Sequence, residues 1–135
     1  MVDLARILFD FGLVVLTWIV QLVIYPGFRF YSREEMDQWH PVYTIRITYV
    51  VLPLMFGQLI LHALNTWTNP GIFPLINFML VIGMWVITFV WAVPLHQKAD
   101  RGQDLEGVVN DLNRVHTYRT IGWTTIFIIS LYTFL

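Results

Sequence analysis

Four long apolar segments constrain this chain more than any other feature of its sequence. They cover about residues 4–25, 43–64, 72–95 and 118–135. Each approaches the ~20 residues that an α-helix needs to cross a ~30 Å hydrocarbon layer. Helices are favoured because the runs lack the period-two alternation of barrel strands. The sequence therefore predicts an all-α, integral membrane four-helix bundle that forms one domain over residues 1–135, with two tandem helical hairpins as a finer description.

The composition agrees with lipid as the solvent. Hydrophobic residues make up 57% of the chain and charged residues only 13%, whereas soluble domains carry roughly 25% charged residues. Aromatic residues reach 16%, which is typical of chains whose rings line two membrane interfaces. The net charge of −1 gives no indication of nucleic-acid binding. The absence of cysteine excludes disulfides, thiolate metal sites and cysteine nucleophiles.

The connections between the segments differ in length and charge. Residues 65–71 form a short uncharged turn, whereas the connections before the second and fourth segments are longer and charged. Ser32 and Glu35 fit a capping box that would begin a short surface helix. The fourth helix is expected to begin near Leu105, ahead of its apolar run. The first segment is too long for a secretory h-region, so we expect a retained helix.

The basic residues predict an orientation in the cell membrane. Of the eight Lys and Arg residues, Arg6 alone lies on the side of the short turn, and the other seven lie on the side of the charged connections. The positive-inside rule then places both long connections in the cytoplasm and both termini outside. Four crossings are consistent with this arrangement.

A set of histidine, tyrosine and arginine side chains recurs where three segments border the charged connections. The set comprises His40, Tyr43, Arg46, His96, His116 and Arg119. Residues three or four positions apart share one face of a helix, so three helices can turn these side chains toward one place. The sequence predicts a ligand-binding pocket on the cytoplasmic side. The alternative is that these residues lie at helix ends because water and head groups are there.

Two kinds of ligand suit such a pocket. Neutral imidazoles bind transition metals and haem iron, which makes His40, His96 and His116 candidate metal or haem ligands. Histidine combined with arginine and tyrosine suits the head group of a lipid or a quinone instead. No segment carries a His–His or Glu–His pair at helical ligand spacing, so tertiary packing would have to assemble a metal site. The identity of the cofactor stays open.

A second polar group lies nearer the other face of the membrane. A rise of ~1.5 Å per residue places Asp10 and His62 at similar depths, with Gln58 one turn from His62. The sequence predicts a buried polar pair of Asp10 and His62, with hydrogen bonds from Gln58. It is interpreted either as a proton-handling pair or as a structural feature. In the structural interpretation Arg6 neutralises Asp10 at i, i+4, and His62 reaches the outer water.

Several short motifs resemble those of small four-helix bacterial membrane proteins. They are Phe28-Arg29, Trp39-His40-Pro41-Val42-Tyr43, Arg46-Ile47, Pro53-Leu54-Met55, Trp91, Pro94-Leu95-His96, Asn113, His116, Arg119-Thr120 and Trp123-Thr124. The resemblance spans nearly the whole chain and implies a four-helix fold. It implies no catalytic residues, because that family has no assigned activity. The layout is also loosely similar to anthrone-oxygenase-like membrane proteins, and no site is transferred from them.

Three functions are compatible with these patterns. The first is a binding or redox module that holds a lipid, quinone, metal or haem in the cytoplasmic-side pocket. The second is a structural or accessory subunit of a larger membrane complex. The third is a small oligomeric transporter or channel that uses Asp10 and His62. Membrane lipids are the expected partners, and the chain is expected to form a homo-oligomer or join a complex. No hydrolase, nucleotide-binding or metalloprotease signature occurs, so enzyme activity is neither predicted nor excluded.

Overall fold

Four helices account for nearly all of the chain in a computed structural model that describes residues 2–102 and 104–135. They are α1 (Val2–Phe30), α2 (Arg33–Thr68), α3 (Ile72–Asp100) and α4 (Leu105–Phe134). Helix α1 packs against α2 and α4, and α3 packs against the same two helices. No strand occurs within the described ranges. The all-α fold and the number of helices are therefore confirmed.

Three of these helices have the length and composition of membrane spans. Helices α1, α2 and α3 are each long and apolar enough to cross a membrane. Helix α4 is long but less apolar, because Arg119 and several threonines interrupt its apolar run. The fourth predicted span, residues 118–135, therefore stays a prediction.

The bundle exposes many large apolar side chains and buries many polar ones beside its apolar core. Leu8, Leu22, Ile60, Val90 and Ile128 are each more than half exposed. The buried polar and charged side chains are Arg6, Asp10, Thr17, His40, Gln58, His62, Asn65, Asn77, Thr88, His116, Arg119, Thr120 and Ser130. This distribution is the reverse of the usual one for water-soluble proteins, in which charged residues are almost never fully buried unless paired.

Both α1 and α3 contain a stretch of π-helix, at Val20–Ile24 and Ile87–Ala92. In each, the residue just before a proline donates its backbone N–H to the carbonyl five positions earlier. These bonds run from Tyr25 to Val20 and from Val93 to Thr88. Proline has no N–H, and its ring clashes with the carbonyl four residues before it, so a wider turn precedes Pro26 and Pro94. A chain built from two tandem hairpins would be expected to carry the same π-helical stretch in its first and third helices.

The charged connections are shorter than the sequence predicts. Helix α2 already begins at Arg33, and the predicted short surface helix is the first part of one continuous helix that ends at Thr68. Helix α4 begins at Leu105, as predicted. The guanidinium of Arg33 donates to the carbonyl oxygen of Gly102, which ties the two connections together at one end of the bundle.

The start of α2 offers a test of this local structure. The hydroxyl of Ser32 accepts from the Glu35 N–H, and the Glu35 carboxylate accepts from the Ser32 N–H at 2.7 Å, which completes the predicted capping box. We expect Ser32→Ala to lower the free energy of unfolding by about 1 kcal/mol, and Ser32→Gly by only a few tenths. Unfolding in mixed detergent micelles measures the difference. A Ser32→Ala variant as stable as the wild type would contradict the role of the hydroxyl.

Candidate functional site

A cavity of about 260 Å³ lies inside the half of the bundle that carries the charged connections. Its walls are largely apolar and come from Leu13, Leu16, Val20, Ile47, Val51, Leu52, Phe89, Ala92 and Val93. Thr48 and Phe89, on α2 and α3, line the cavity and are also exposed on the side of the bundle. The cavity therefore has an opening between α2 and α3, level with the π-helical stretch of α3.

Polar side chains from all four helices form one end of this cavity. They are Tyr25 from α1, Tyr43 from α2, His96 and Asp100 from α3, and His116 and Arg119 from α4. The π-helical stretches lie immediately before Tyr25 and four residues before His96. Such wide turns are frequent at functional sites. In this protein they precede two of the residues that form the polar end.

Four of the polar groups form a continuous hydrogen-bonded chain. Asp100 Oδ1 lies 2.6 Å from His40 Nδ1, and His40 Nε2 lies 3.1 Å from His96 Nδ1. His96 Nε2 in turn lies 3.0 Å from the Tyr25 hydroxyl. The His40 and His96 rings are stacked, with centroids 5.2 Å apart. The chain runs from the partly exposed Asp100 side chain to a tyrosine that is 2% exposed.

The donor and the acceptor of each of these hydrogen bonds follow from the Asp100 carboxylate at one end of the chain. An ionised carboxylate only accepts, so His40 Nδ1 donates to Asp100. With both imidazoles neutral, His40 Nε2 must then accept from His96 Nδ1. His96 Nε2 likewise accepts from the Tyr25 hydroxyl. Each hydrogen bond then contains one proton, and in each bond the donor is on the Tyr25 side and the acceptor is on the Asp100 side.

Two buried nitrogen atoms beside the chain lack hydrogen-bond partners among the described residues. They are Nε of Arg119 and Nδ1 of His116. His116 Nε2 donates to the Thr17 carbonyl oxygen at 3.0 Å. The Arg119 guanidinium lies over the Trp123 ring, 4.9 Å from its centroid. The Arg119 guanidinium has no carboxylate partner in the described ranges, so it retains the capacity to donate hydrogen bonds to an oxygen atom.

The structure brings together most, but not all, of the predicted pocket residues. Tyr43, His96, His116 and Arg119 line the cavity, and His40 lies directly behind His96. Arg46 is exposed and does not line the cavity, so the structure does not place it with the other predicted pocket residues. Each step of three residues turns the side-chain direction by about 60° along an α-helix, so Arg46 points about 120° away from His40.

Sequence reasoning also missed two members of the chain, Tyr25 and Asp100. Asp100 ends α3 one turn beyond His96, and that i, i+4 spacing is a signal that could have identified it. Tyr25 follows the π-helical stretch, so counting α-helical turns along α1 gives the wrong face for it.

The histidines are placed for hydrogen bonding rather than for metal ligation. Nδ1 and Nε2 are both engaged in His40 and in His96, and Nε2 is engaged in His116. Binding of a metal or haem iron by His40, His96 and His116 together would have to break several of these bonds. Within residues 2–102 and 104–135, no group of three or more His, Cys, Asp or Glu side chains is arranged to hold a metal ion.

A second polar cluster lies deeper in the bundle. The Asp10 carboxylate accepts from Gln58 Nε2 at 2.7 Å and from His62 Nε2 at 3.0 Å. Trp123 Nε1 donates to Gln58 Oε1 at 3.1 Å, which links this cluster to the cavity wall. Asp10 and His62 each have 0% exposed surface. The helical spacing thus predicts this contact correctly, but His62 does not reach the surface.

Arg6 does not neutralise Asp10, in contrast to the structural interpretation of the sequence. Its guanidinium donates to Ser130 Oγ at 2.8 Å and lies 3.5 Å from Asp3 Oδ1. Ser130 also accepts from Asn77 Nδ2 at 2.9 Å. Arg6 therefore joins α1 to α4 near the termini, and Asp10 depends on α2 for its partners.

Comparisons with known proteins add no relative. The chain matches no protein-family model, no curated protein and no solved structure.

Proposed function

We propose that this chain is an integral membrane protein that binds an amphipathic molecule with an oxygen-bearing head group. The observation that carries the proposal is the cavity whose apolar walls end at the buried Arg119 guanidinium. Arg119 Nε has no hydrogen-bond partner among the described residues. A buried polar group without a partner costs about 1–3 kcal/mol, and more if charged. A ligand oxygen that accepts a hydrogen bond from the terminal nitrogens of the guanidinium would offset part of that cost.

The distribution of side chains supports a membrane location. The outer surface carries large apolar residues on all four helices, including Leu22, Ile60, Val90 and Ile121. In water such a surface would promote aggregation, whereas in lipid it needs no partner. Ionisable residues inside a membrane protein face the bundle interior and mark functional sites by default. Asp10, His62 and Arg119 all follow that pattern.

The orientation of the protein follows from its basic residues. Seven of eight Lys and Arg residues lie at the end where the cavity has its polar groups. We propose that this end is cytoplasmic and that both termini lie outside. Residues 118–135 of α4 then form the fourth span, and Arg119 lies near the cytoplasmic interface, where a cation is least costly.

The volume of the cavity suits a small amphipathic ligand. Pockets for small molecules occupy about 300–1,000 Å³ and are mostly apolar, with a few polar groups that fix orientation. At about 260 Å³, this cavity suits a single ring or one acyl chain. A quinone carbonyl and a carboxylate share the required chemistry, since both accept hydrogen bonds from a guanidinium. The opening between α2 and α3 would admit either from the lipid.

Replacing Arg119 tests the proposal directly. Hydrogen bonds to charged groups contribute about 1.5–3 kcal/mol, so we expect Arg119→Gln to weaken ligand binding by about 10–100-fold. The probes are a short-chain ubiquinone and decanoate, measured by equilibrium dialysis against the purified protein in detergent. Saturable binding of the ubiquinone alone assigns the head group as a carbonyl, and saturable binding of decanoate alone assigns it as a carboxylate.

Arg46→Gln is the matched control, because Arg46 is exposed and does not line the cavity. We expect wild-type affinity for this variant. Two results would contradict the proposal. One is equal affinity in the Arg119 and Arg46 variants, and the other is a lack of saturable binding of both probes to the wild-type protein.

The two alternative functions have weaker support. A transport pathway through Asp10 and His62 needs access to water, yet both side chains are fully enclosed. An accessory role in a larger complex would use the exposed aromatic side chains, such as Phe30 and Trp67. Such residues also suit a membrane interface, so they do not favour a protein partner over lipid.

A further inference from the structure

We infer that Tyr25, His96, His40 and Asp100 form a proton relay, and that the cavity ligand carries a weakly acidic hydroxyl group such as a phenol or an enol. This inference rests on the proposed function and specifies the ligand class. It is carried by the unbroken chain of three hydrogen bonds from Tyr25 to Asp100, a partly exposed side chain that also lines the cavity. All three donor–acceptor distances are between 2.6 and 3.1 Å.

Each proton in the relay has a defined donor and acceptor. When the ligand O–H bond breaks, its proton passes to the Tyr25 oxygen while Tyr25 gives its own proton to His96 Nε2. His96 then gives its Nδ1 proton to His40 Nε2, and the His40 Nδ1 proton passes to the Asp100 carboxylate. Asp100 releases that proton to water. The ligand remains as an oxyanion, and no oxidant or reductant is required.

Arg119 supplies the charge that the oxyanion needs. It lines the same cavity as Tyr25, and its Nε has no hydrogen-bond partner among the described residues. Charge-assisted hydrogen bonds are roughly twice as strong as neutral ones, so Arg119 binds the anionic ligand more tightly than the neutral one. The positive charge of Arg119 and the relay therefore both favour loss of the ligand's proton.

His40 is the relay member whose position separates proton transfer from ligand binding. It is 1% exposed, contacts Phe28 edge-to-face with ring centroids 5.6 Å apart, and is not among the residues that line the cavity. A ligand that fills the cavity would displace the water that could otherwise carry a proton through the cavity to Asp100. The path behind the cavity, through His40, would stay intact.

The relay is surrounded by few other ionisable groups. Those that line the cavity beside it are Tyr43 on α2 and His116 and Arg119 on α4. Tyr43 packs near both imidazoles, with ring centroids 6.1 Å from His40 and 6.4 Å from His96. His116 packs against Tyr25 at 4.8 Å, and its Nε2 already donates to a carbonyl oxygen.

A phenol whose colour reports its charge tests the relay. The probe is 4-nitrophenol carrying an octyl chain, since its phenolate absorbs visible light. Equilibrium dialysis gives its affinity, and stopped-flow pH jumps give the rate at which the bound probe loses its proton. We expect His40→Gln to slow that rate by about 10²-fold, within the usual range for positioned acid–base groups, and to leave the affinity nearly unchanged.

Asp100→Asn provides a second variant at a partly exposed position, in case His40→Gln does not fold. An amide cannot accept the relayed proton, so we expect a similar loss of rate. Asp111→Asn is its matched control, because Asp111 pairs only with the exposed Arg114 across 3.6 Å among the described residues. We expect wild-type kinetics for that control.

The outcomes distinguish the relay from the proposed function. Tight binding with an unchanged rate in His40→Gln and Asp100→Asn would overturn the relay and leave the binding function standing. Failure of the wild-type protein to bind this probe would overturn the relay inference, and failure to bind the quinone and decanoate as well would overturn both. A slower rate in the two relay variants, with retained affinity in His40→Gln, would support both.

Discussion

Replacing Asp10 by alanine is expected to lower the free energy of unfolding by about 3–5 kcal/mol, because each buried donor left without a partner costs about 1–3 kcal/mol. The Asp10 carboxylate accepts hydrogen bonds from both Gln58 and His62. Its removal leaves two buried donors without a partner, and neither can reach water because both residues are at most 1% exposed. Reversible unfolding in mixed detergent micelles measures the loss.

Two further variants define the cause of that loss. Asp37→Ala removes a carboxylate from an exposed pair with Arg33, so we expect a change of no more than about 1 kcal/mol. Asp10→Leu combined with His62→Leu replaces the pair by apolar side chains and leaves only Gln58 Nε2 without its acceptor, so we expect a smaller loss of about 1–3 kcal/mol. An Asp10→Ala protein as stable as the wild type would show that His62 has access to water, which would revive the transport hypothesis.

Replacing Trp123 by alanine is expected to lower the free energy of unfolding by about 3–5 kcal/mol, as is typical of deleting a buried tryptophan. Trp123 is 1% exposed and packs in one core cluster with Leu13, Met55, Val81 and Ile126. Its indole also donates to Gln58 and lies under the Arg119 guanidinium. Thermal unfolding in detergent, followed by circular dichroism, measures the effect.

Trp123→Phe separates the ring from the hydrogen bond. It keeps most of the buried surface and loses only the donor to Gln58, so we expect about 1–3 kcal/mol, the cost of one buried unsatisfied acceptor. Trp67→Ala is the matched control, because that side chain is 86% exposed. Similar losses for Trp123→Ala and Trp67→Ala would contradict the assignment of Trp123 to the bundle core.

The sequence predicts the fold well because long apolar runs leave few alternatives. Four helices, the capping box at Ser32 and the start of α4 at Leu105 all follow from composition and spacing. The contact between Asp10 and His62 follows from helix rise alone. These predictions succeed because they depend on distances along one helix or on position along the bundle axis.

The sequence predicts the polar end of the cavity less completely, because that end depends on which way each helix is turned. Arg46 lies on the same sequence segment as His40 and Tyr43, yet it faces outward. Arg6 reaches Ser130 rather than Asp10, since its choice between partners is decided by the packing of α4. Such choices require the rotation of each helix about its axis, which composition does not contain.

The π-helical stretches make the spacing of residues as informative as their identity. Along α1, buried positions follow one another at steps of three and four from Asp10 to Val20, and the next step, to Tyr25, is five. Each wide turn thus behaves as a one-residue insertion that resets the phase of the helix. Removing that residue would rotate everything beyond it by about 100°, so a protein that retains every polar residue can still lose the cavity through a single deletion. Alignments of this chain should therefore count the residues before Pro26 and Pro94 as carefully as the histidines themselves.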